Sequence, residues 1–164
     1  TGTPRFTAAR RSQGRSFRRG CVRPGVVKVF LDTNVLVSAF VARGLCADLM
    51  RYLLAEHEVL TGELNLVELK RILRDKFDAT ASQVESVESQ LRDQTVVQKP
   101  TARPTIKVRD KNDEWILASA IEGFAEMLVT GDEDLLSVAN RSPIPILTPR
   151  QAWEQLRESS TGTA

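Results

Sequence analysis

Apolar positions along this chain switch repeatedly between two spacings. Val26-Val27-Lys28-Val29-Phe30-Leu31 is a β-branched, apolar run of strand length, broken only by Lys28. It ends abruptly on Asp32-Thr33-Asn34, after which Val35, Leu36, Ala39 and Phe40 recur at helical spacing. Leu45, Leu49, Tyr52 and Leu53 predict a second helix over roughly 44–55, and residues 57–61 read as a short strand. Leu64, Val67, Leu69, Ile72 and Leu73 predict a helix over 63–76. Val84, Val87 and Leu91 predict another over 80–94, opened by a capping box with Thr80 at the cap and Gln83 three residues on. Residues 95–98 form a strand, and 99–105, with Pro100 and Pro104, a loop. A helix over 112–123 is expected to close on Gly123. A strand over 127–130 precedes a short helix on Leu135, Leu136 and Val138. The last strand, 144–147, belongs at a sheet edge because Pro145 cannot donate to a ladder. Thr148 and Pro149 open the final helix, with proline at its first position.

Strands alternating with helices predict an α/β fold, a parallel sheet with helices on both faces. Neither a repeat nor a linker divides the body, so 26–158 reads as one domain, with 159–164 as a flexible tail.

Charge separates the body from what precedes it. The chain has a net charge of +2, yet residues 1–25 hold seven arginines and no acid, leaving 16 basic and 21 acidic residues in the remainder. The Gly-, Ser-, Thr- and Arg-rich leader is expected to be disordered. It has no apolar core of its own and does not read as a secretory signal. Its arginines suit phosphate backbones; an over-long translation start is the other expectation. Nor does any stretch reach the roughly 18 uncharged apolar residues of a membrane span. Cys21 and Cys46 make no disulfide framework, so a reducing, cytoplasmic setting is expected. His57, the one histidine, reads as structural, and a histidine-rich zinc site is excluded.

Candidate chemistry lies in acids at unexpected places. A hydrophobic strand ending on Asp32 and turning into a helix aims that carboxylate out of the carboxyl edge of the sheet, where ligands bind in open α/β folds. The structural alternative is a helix N-cap. Asp132 repeats the arrangement after Met127–Val129, and Asp134 follows two residues later. Glu68 shares a helical row with Leu64 and Ile72. It is either a boundary residue, paired with Lys70 or Arg71, or a side chain aimed into a cleft. Asp113 shares the face of Ile116, Leu117 and Ala120; the alternative is interaction with the helix dipole, with Asp110 as cap. Should the strands leading to Asp32 and Asp132 be neighbours, four carboxylates converge. Two like charges ~4 Å apart repel by roughly 4 kcal/mol at an effective dielectric near 20. Such a cluster needs protons or a cation, and an all-oxygen donor set selects Mg²⁺ or Mn²⁺. Carboxylate-bound metal with free water positions suits phosphodiester hydrolysis.

LDTNVLVSAF, LVEL, RDKNDEWILASA and LVTGDEDLL together resemble, in order and spacing, the PIN domain over about 26–153. The likeness is closest to the VapC-like ribonuclease toxins of bacterial toxin–antitoxin pairs. It implies a three-layer fold, a five-stranded parallel sheet between helices, and a metal-dependent ribonuclease. It carries the family's four acids onto Asp32, Glu68, Asp113 and Asp132, as catalytic residues and metal ligands. Thr33, Asn34 and Thr130 fall on supporting polar positions, and Asp110 and Asp134 are additional acids. The partners expected are an RNA substrate, an antitoxin protein and a second copy of the chain, with no membrane. The Arg-rich leader departs from the family, whose members usually start near the first strand. Two other readings stand beside this one. A PIN fold could serve only to hold RNA or protein. A haloacid dehalogenase-like phosphatase also places an aspartate at a strand end, but needs a second one where this chain has Asn34.

Overall fold

The computed structural model describes residues 25–162; the expectations for residues 1–24 and for 163–164 lie outside that range. Five strands and seven α-helices alternate: β1 (Lys28–Leu31), α1 (Thr33–Val41), α2 (Leu45–Glu56), β2 (Glu58–Gly62), α3 (Glu63–Phe77), α4 (Ala81–Arg92), β3 (Thr95–Val97), α5 (Lys111–Glu122), β4 (Met127–Val129), α6 (Glu133–Leu136), β5 (Ile146–Leu147) and α7 (Pro149–Thr161). A 3₁₀ turn, Ala139–Arg141, follows α6.

The strands form one parallel sheet in the order β3-β2-β1-β4-β5. This is the five-stranded α/β sheet expected, with β5 and its preceding Pro145 at an edge. Side chains alternate across each strand. Val29 and Leu31 enter a core with α1, α2, α3, α4 and α7, whereas Phe30, Leu60 and Leu128 enter a second core with α5 and α6. Helices on both faces explain why the strands read as nearly continuous apolar runs. The chain moves outward from β1 to β2 and β3, then returns through α5 to β4 on the other side of β1. The order of connection thus reverses between β1 and β4, and a crevice opens at their carboxyl ends.

Two local expectations are corrected. Gly123 does follow α5, but at φ −76 it needs no glycine freedom, and Phe124 at φ 57 carries the left-handed turn. Space is the reason for a glycine there, since a Cβ would lie 2.6 Å from Val97 Cγ2 and 3.2 Å from Leu60 Cδ2. The last helix continues past residue 158 to Thr161, so the segment expected as a flexible tail is helical up to that residue. Thr148 and Gln151 form a capping box at its start, Leu156 is buried, and Tyr52 Oη lies 2.8 Å from Ser160 Oγ. Among the described residues no single helix is long and apolar enough to cross a membrane.

Candidate functional site

The site grows out of the β1–β4 pair. Their register sets Leu31 against Val129, so one step further Asp32 stands beside Thr130. The two strands leading to Asp32 and Asp132 are thus neighbours, and Asp132 lies two residues beyond Thr130. Asp32 is indeed the N-cap of α1: its Oδ1 accepts from the Thr33 amide at 2.7 Å. That cap uses only part of the group. Oδ2 accepts from Thr130 Oγ1 at 2.7 Å, and Oδ1 also accepts from Asn65 Nδ2 at 3.2 Å. Asp32 is 4% exposed. Burial pushes its carboxyl up to about 6, against the Thr130 and Thr33 hydrogen bonds, with the Glu68 and Asp132 charges adding to the rise.

Asp113 sits in the first turn of α5, capped by Asp110, whose carboxylate accepts from the Asn112 amide at 2.8 Å. The capping role considered for Asp110 is therefore what it performs, while its charge still reaches Asp113. Asp113 is 6% exposed, and its buried Oδ2 has no hydrogen-bond partner. Its carboxyl is pushed up to about 7, first by burial and then by Asp132, Asp32, Asp110 and Asp134. A buried polar oxygen left without a partner costs free energy, and that makes it a mark of an absent ligand.

Asp132 is the N-cap of the short α6, its Oδ1 accepting from the Asp134 amide at 2.8 Å, and its own amide donates to Thr130 Oγ1 at 2.9 Å. Thr130 thus ties both strand-end aspartates together. Oxygens of Asp113, Asp132 and Asp134 lie within 4.8 Å of one another. The structure therefore groups Asp134, expected only as a support, with two of the four main acids. Glu68 and Asp32 lie outside that trio but belong to the same crevice: Glu68 Oε2 accepts from Thr33 Oγ1 at 3.1 Å, and its charge reaches Asp32. The alternative pairing of Glu68 with Lys70 or Arg71 is not formed among the described residues, and Lys70 Nζ bonds Glu88 Oε1 at 3.0 Å instead. Asn34 Oδ1 accepts from the Gly131 amide at 3.3 Å, which links the start of α1 to the loop after β4.

Sequence reasoning missed Asn65. Fully buried on α3, it donates to both Asp32 Oδ1 and Thr33 Oγ1 (3.0 Å). The signal was present: Asn65 leads the row Asn65, Leu69, Leu73, all buried, one row over from Glu68.

The donors are carboxylate oxygens, three of them close together, one buried oxygen is unpartnered, and burial pushes two of the carboxyls up from the ordinary aspartate value. Such a set fits a hard divalent cation held by Asp113, Asp132 and Asp134, with Asp32 adjoining.

A family model described as a PIN domain matches residues 28–134. The chain is similar to the crystal structure of VapBC2 from Rickettsia felis bound to a DNA fragment from their promoter, with a TM-score of 0.53 and 18% sequence identity, covering 74% of this chain and 97% of that one. It is also similar to the structure of the PIN domain endonuclease Utp24, with a TM-score of 0.42 and 18% identity, covering 76% of this chain and 86% of that one. No curated protein sequence matches it.

Proposed function

The chain belongs to the PIN-domain family, and from that premise we propose that it is a metal-dependent endoribonuclease, the toxin of a toxin–antitoxin pair, using Mg²⁺ or Mn²⁺ to hydrolyse RNA phosphodiester bonds. The observation that carries this reading is the buried, unpartnered Oδ2 of Asp113 in a group with Asp132 and Asp134. The fold likeness to VapBC2 supports the toxin assignment and an antitoxin partner. Position 34, where a phosphatase of the haloacid dehalogenase type needs an aspartate, holds an asparagine turned to the Gly131 amide.

When bound, a divalent cation supplies an acidified water and offsets charge on the phosphate. The chain's own residues prepare for it. Asp113, Asp132 and Asp134 would hold it, and burial among the other acids pushes the Asp113 carboxyl up to about 7, so that a bound cation would offset the charge these acids place on one another. Asp32 is fixed by three donors, Thr33, Asn65 and Thr130, and completes the anionic wall. Glu68, oriented by Thr33, closes the side of the crevice under α3. Fixed carboxylates of this kind act by pre-organisation, with no side chain needing to turn when substrate arrives.

The test is incubation of the purified protein with labelled total RNA in Mn²⁺ or in EDTA, with mapping of the cut ends. Cleavage is expected in Mn²⁺ only, and Asp113→Asn is expected to lower it at least about a hundredfold while folding normally. Cleavage that survives EDTA, or a fully active Asp113→Asn protein, would sink the metal-dependent reading. Intact RNA in every lane would leave a PIN scaffold in its place.

A further inference from the structure

The acidic crevice poses an electrostatic problem for its own substrate. Residues 26–164 carry 16 basic and 21 acidic residues, and the site concentrates acids where a polyanion must approach. The segment between β3 and α5 has the opposite character. Residues 99–111 hold five cations, Lys99, Arg103, Lys107, Arg109 and Lys111, against the single acid Asp110. All five are exposed, and none makes an ion pair among the described residues.

Four of them are placed around the start of α5. The segment leaves β3 at the carboxyl edge of the sheet and returns to that edge at Asp110, the cap of the helix that carries Asp113. Val108 is buried and its amide donates to Glu114 Oε1 at 3.2 Å, pinning the segment to the first turn of α5. Lys107 and Arg109 flank that anchor and remain exposed. Arg141 Nη2 donates to the Lys107 carbonyl at 3.0 Å, which brings a further cationic residue to the same place. Lys99 Nζ lies 4.7 Å from the centroid of the half-buried Trp115 ring, two residues beyond Asp113.

Lys111 is the most telling. It occupies the first position of α5, where a cation opposes the helix dipole and weakens the helix. Stability gives no reason for a lysine there, and a polyanionic ligand does. Trp115 adds a second, independent feature, a half-buried aromatic ring on α5 that already carries Lys99 on its face and is of the kind on which nucleic-acid bases and cationic side chains stack.

We propose that Lys99, Lys107, Arg109 and Lys111 form the rim along which the phosphate backbone of single-stranded RNA lies, holding the chain across the acidic crevice. This rests on the ribonuclease reading above and adds the surface that positions its substrate. The rim binds phosphates flanking the cleaved bond, while the crevice acids repel RNA held anywhere else. Trp115 holds Lys99 against α5 until a phosphate takes it.

Binding of a fluorescent 12-nucleotide RNA to Asp113→Asn protein in EDTA, titrated against KCl, tests the proposal without cleavage. A rim variant carries Lys99→Gln, Lys107→Gln, Arg109→Gln and Lys111→Gln. A control removes four exposed cations elsewhere, Arg43→Gln, Arg51→Gln, Arg74→Gln and Lys76→Gln. The rim variant is expected to keep its melting temperature, bind at least about tenfold more weakly at low salt, and show a log–log salt slope shallower by roughly 2–3, at ~0.7 for each phosphate no longer neutralised. The control is expected to weaken binding by less than about threefold. Equal weakening in the two variants would reduce the effect to net charge, and an unchanged slope in the rim variant would remove the rim; either outcome overturns the proposal. Cleavage of RNA by the wild type in Mn²⁺ is scored separately. If it persists while the rim fails, the ribonuclease reading survives without this surface; if the wild type neither binds nor cuts RNA, both fall.

Discussion

Two groups of carboxylates in this molecule behave in opposite ways. In the crevice, Asp32 is pushed up to about 6 and Asp113 to about 7, both chiefly by burial. On the α3–α4 face, Glu63 is held below the usual range by hydrogen bonds from Arg92, and Glu88 by Lys70 and then Arg92. The residue types are the same, and α3 contributes to both groups. The difference is the company: cations reach the carboxylates of the surface group, while those of the crevice meet hydroxyls, an amide, a carboxamide and one another. A folded chain tolerates the second arrangement where something outside the chain completes it.

The sharpest way to break this comparison is to supply the missing cation. Mn²⁺ binds the folded state, so melting temperature should rise with its concentration. At a hundredfold excess over Kd the gain is about 2.7 kcal/mol, or roughly 5–10 °C for a domain of this size. Asp113→Asn is expected to remove most of that rise and Glu88→Gln none of it. Equal metal shifts in the two variants would mean that the crevice is no more a cation site than the surface is.

Proton linkage separates the groups next. Asp32 and Asp113 have folded values above the ordinary 3.8 of an aspartate. The folded state therefore holds protons that the unfolded chain has released. Their contribution is full below about pH 4 and is lost as pH rises through about 6 and 7. Glu63 and Glu88 are shifted down, so their contribution is present above the ordinary 4.5 of a glutamate and is lost as pH falls below it. In EDTA, stability should then decline from pH 5 to pH 8, and the double variant Asp32→Asn, Asp113→Asn should flatten that decline while keeping the acid limb. An alkaline decline that survives the double variant would assign it to other groups.

Much of this was legible before any coordinates. Apolar runs ending on Asp32 and just before Asp132 marked the strands and their exposed ends, and Thr80 and Thr148 set helix starts by local hydrogen bonding that the neighbouring residues encode. Asp113 was legible because a charged residue on an apolar helical face breaks a pattern. The grouping of Asp134 with Asp113 was not, because it depends on how β4 is set against α5 across many residues. Asn65 broke the pattern of its own row as clearly as Asp113 did, but an asparagine near a helix start reads as ordinary. Gly123 shows the limit from the other side. Its place after a helix suggested a conformational role, and only the packing of Val97 and Leu60 reveals that volume is what matters there.

The smallest expected effect tests the surface group itself. Arg92 Nη2 lies 2.9 Å from Glu63 Oε2 and 3.3 Å from Glu88 Oε1, and its guanidinium is largely in water. Exposed pairs of this kind are worth at most about 1 kcal/mol, and at 1 M salt, where the screening length is ~3 Å, still less. Arg92→Gln should therefore lower the melting temperature by only a few degrees in low salt and by almost nothing in high salt. It should also leave the Mn²⁺ shift untouched, although α3 carries Glu63 at one end of this network and Asn65 and Glu68 in the crevice. The reason is that Asn65 is held by full burial against Asp32 and Thr33 rather than by the surface charges, so removing those charges does not move it. Thermal melts of Arg92→Gln across salt and Mn²⁺ settle the point. A reduced metal shift would show that the surface network tunes the crevice through α3, and the two groups would then be one electrostatic unit.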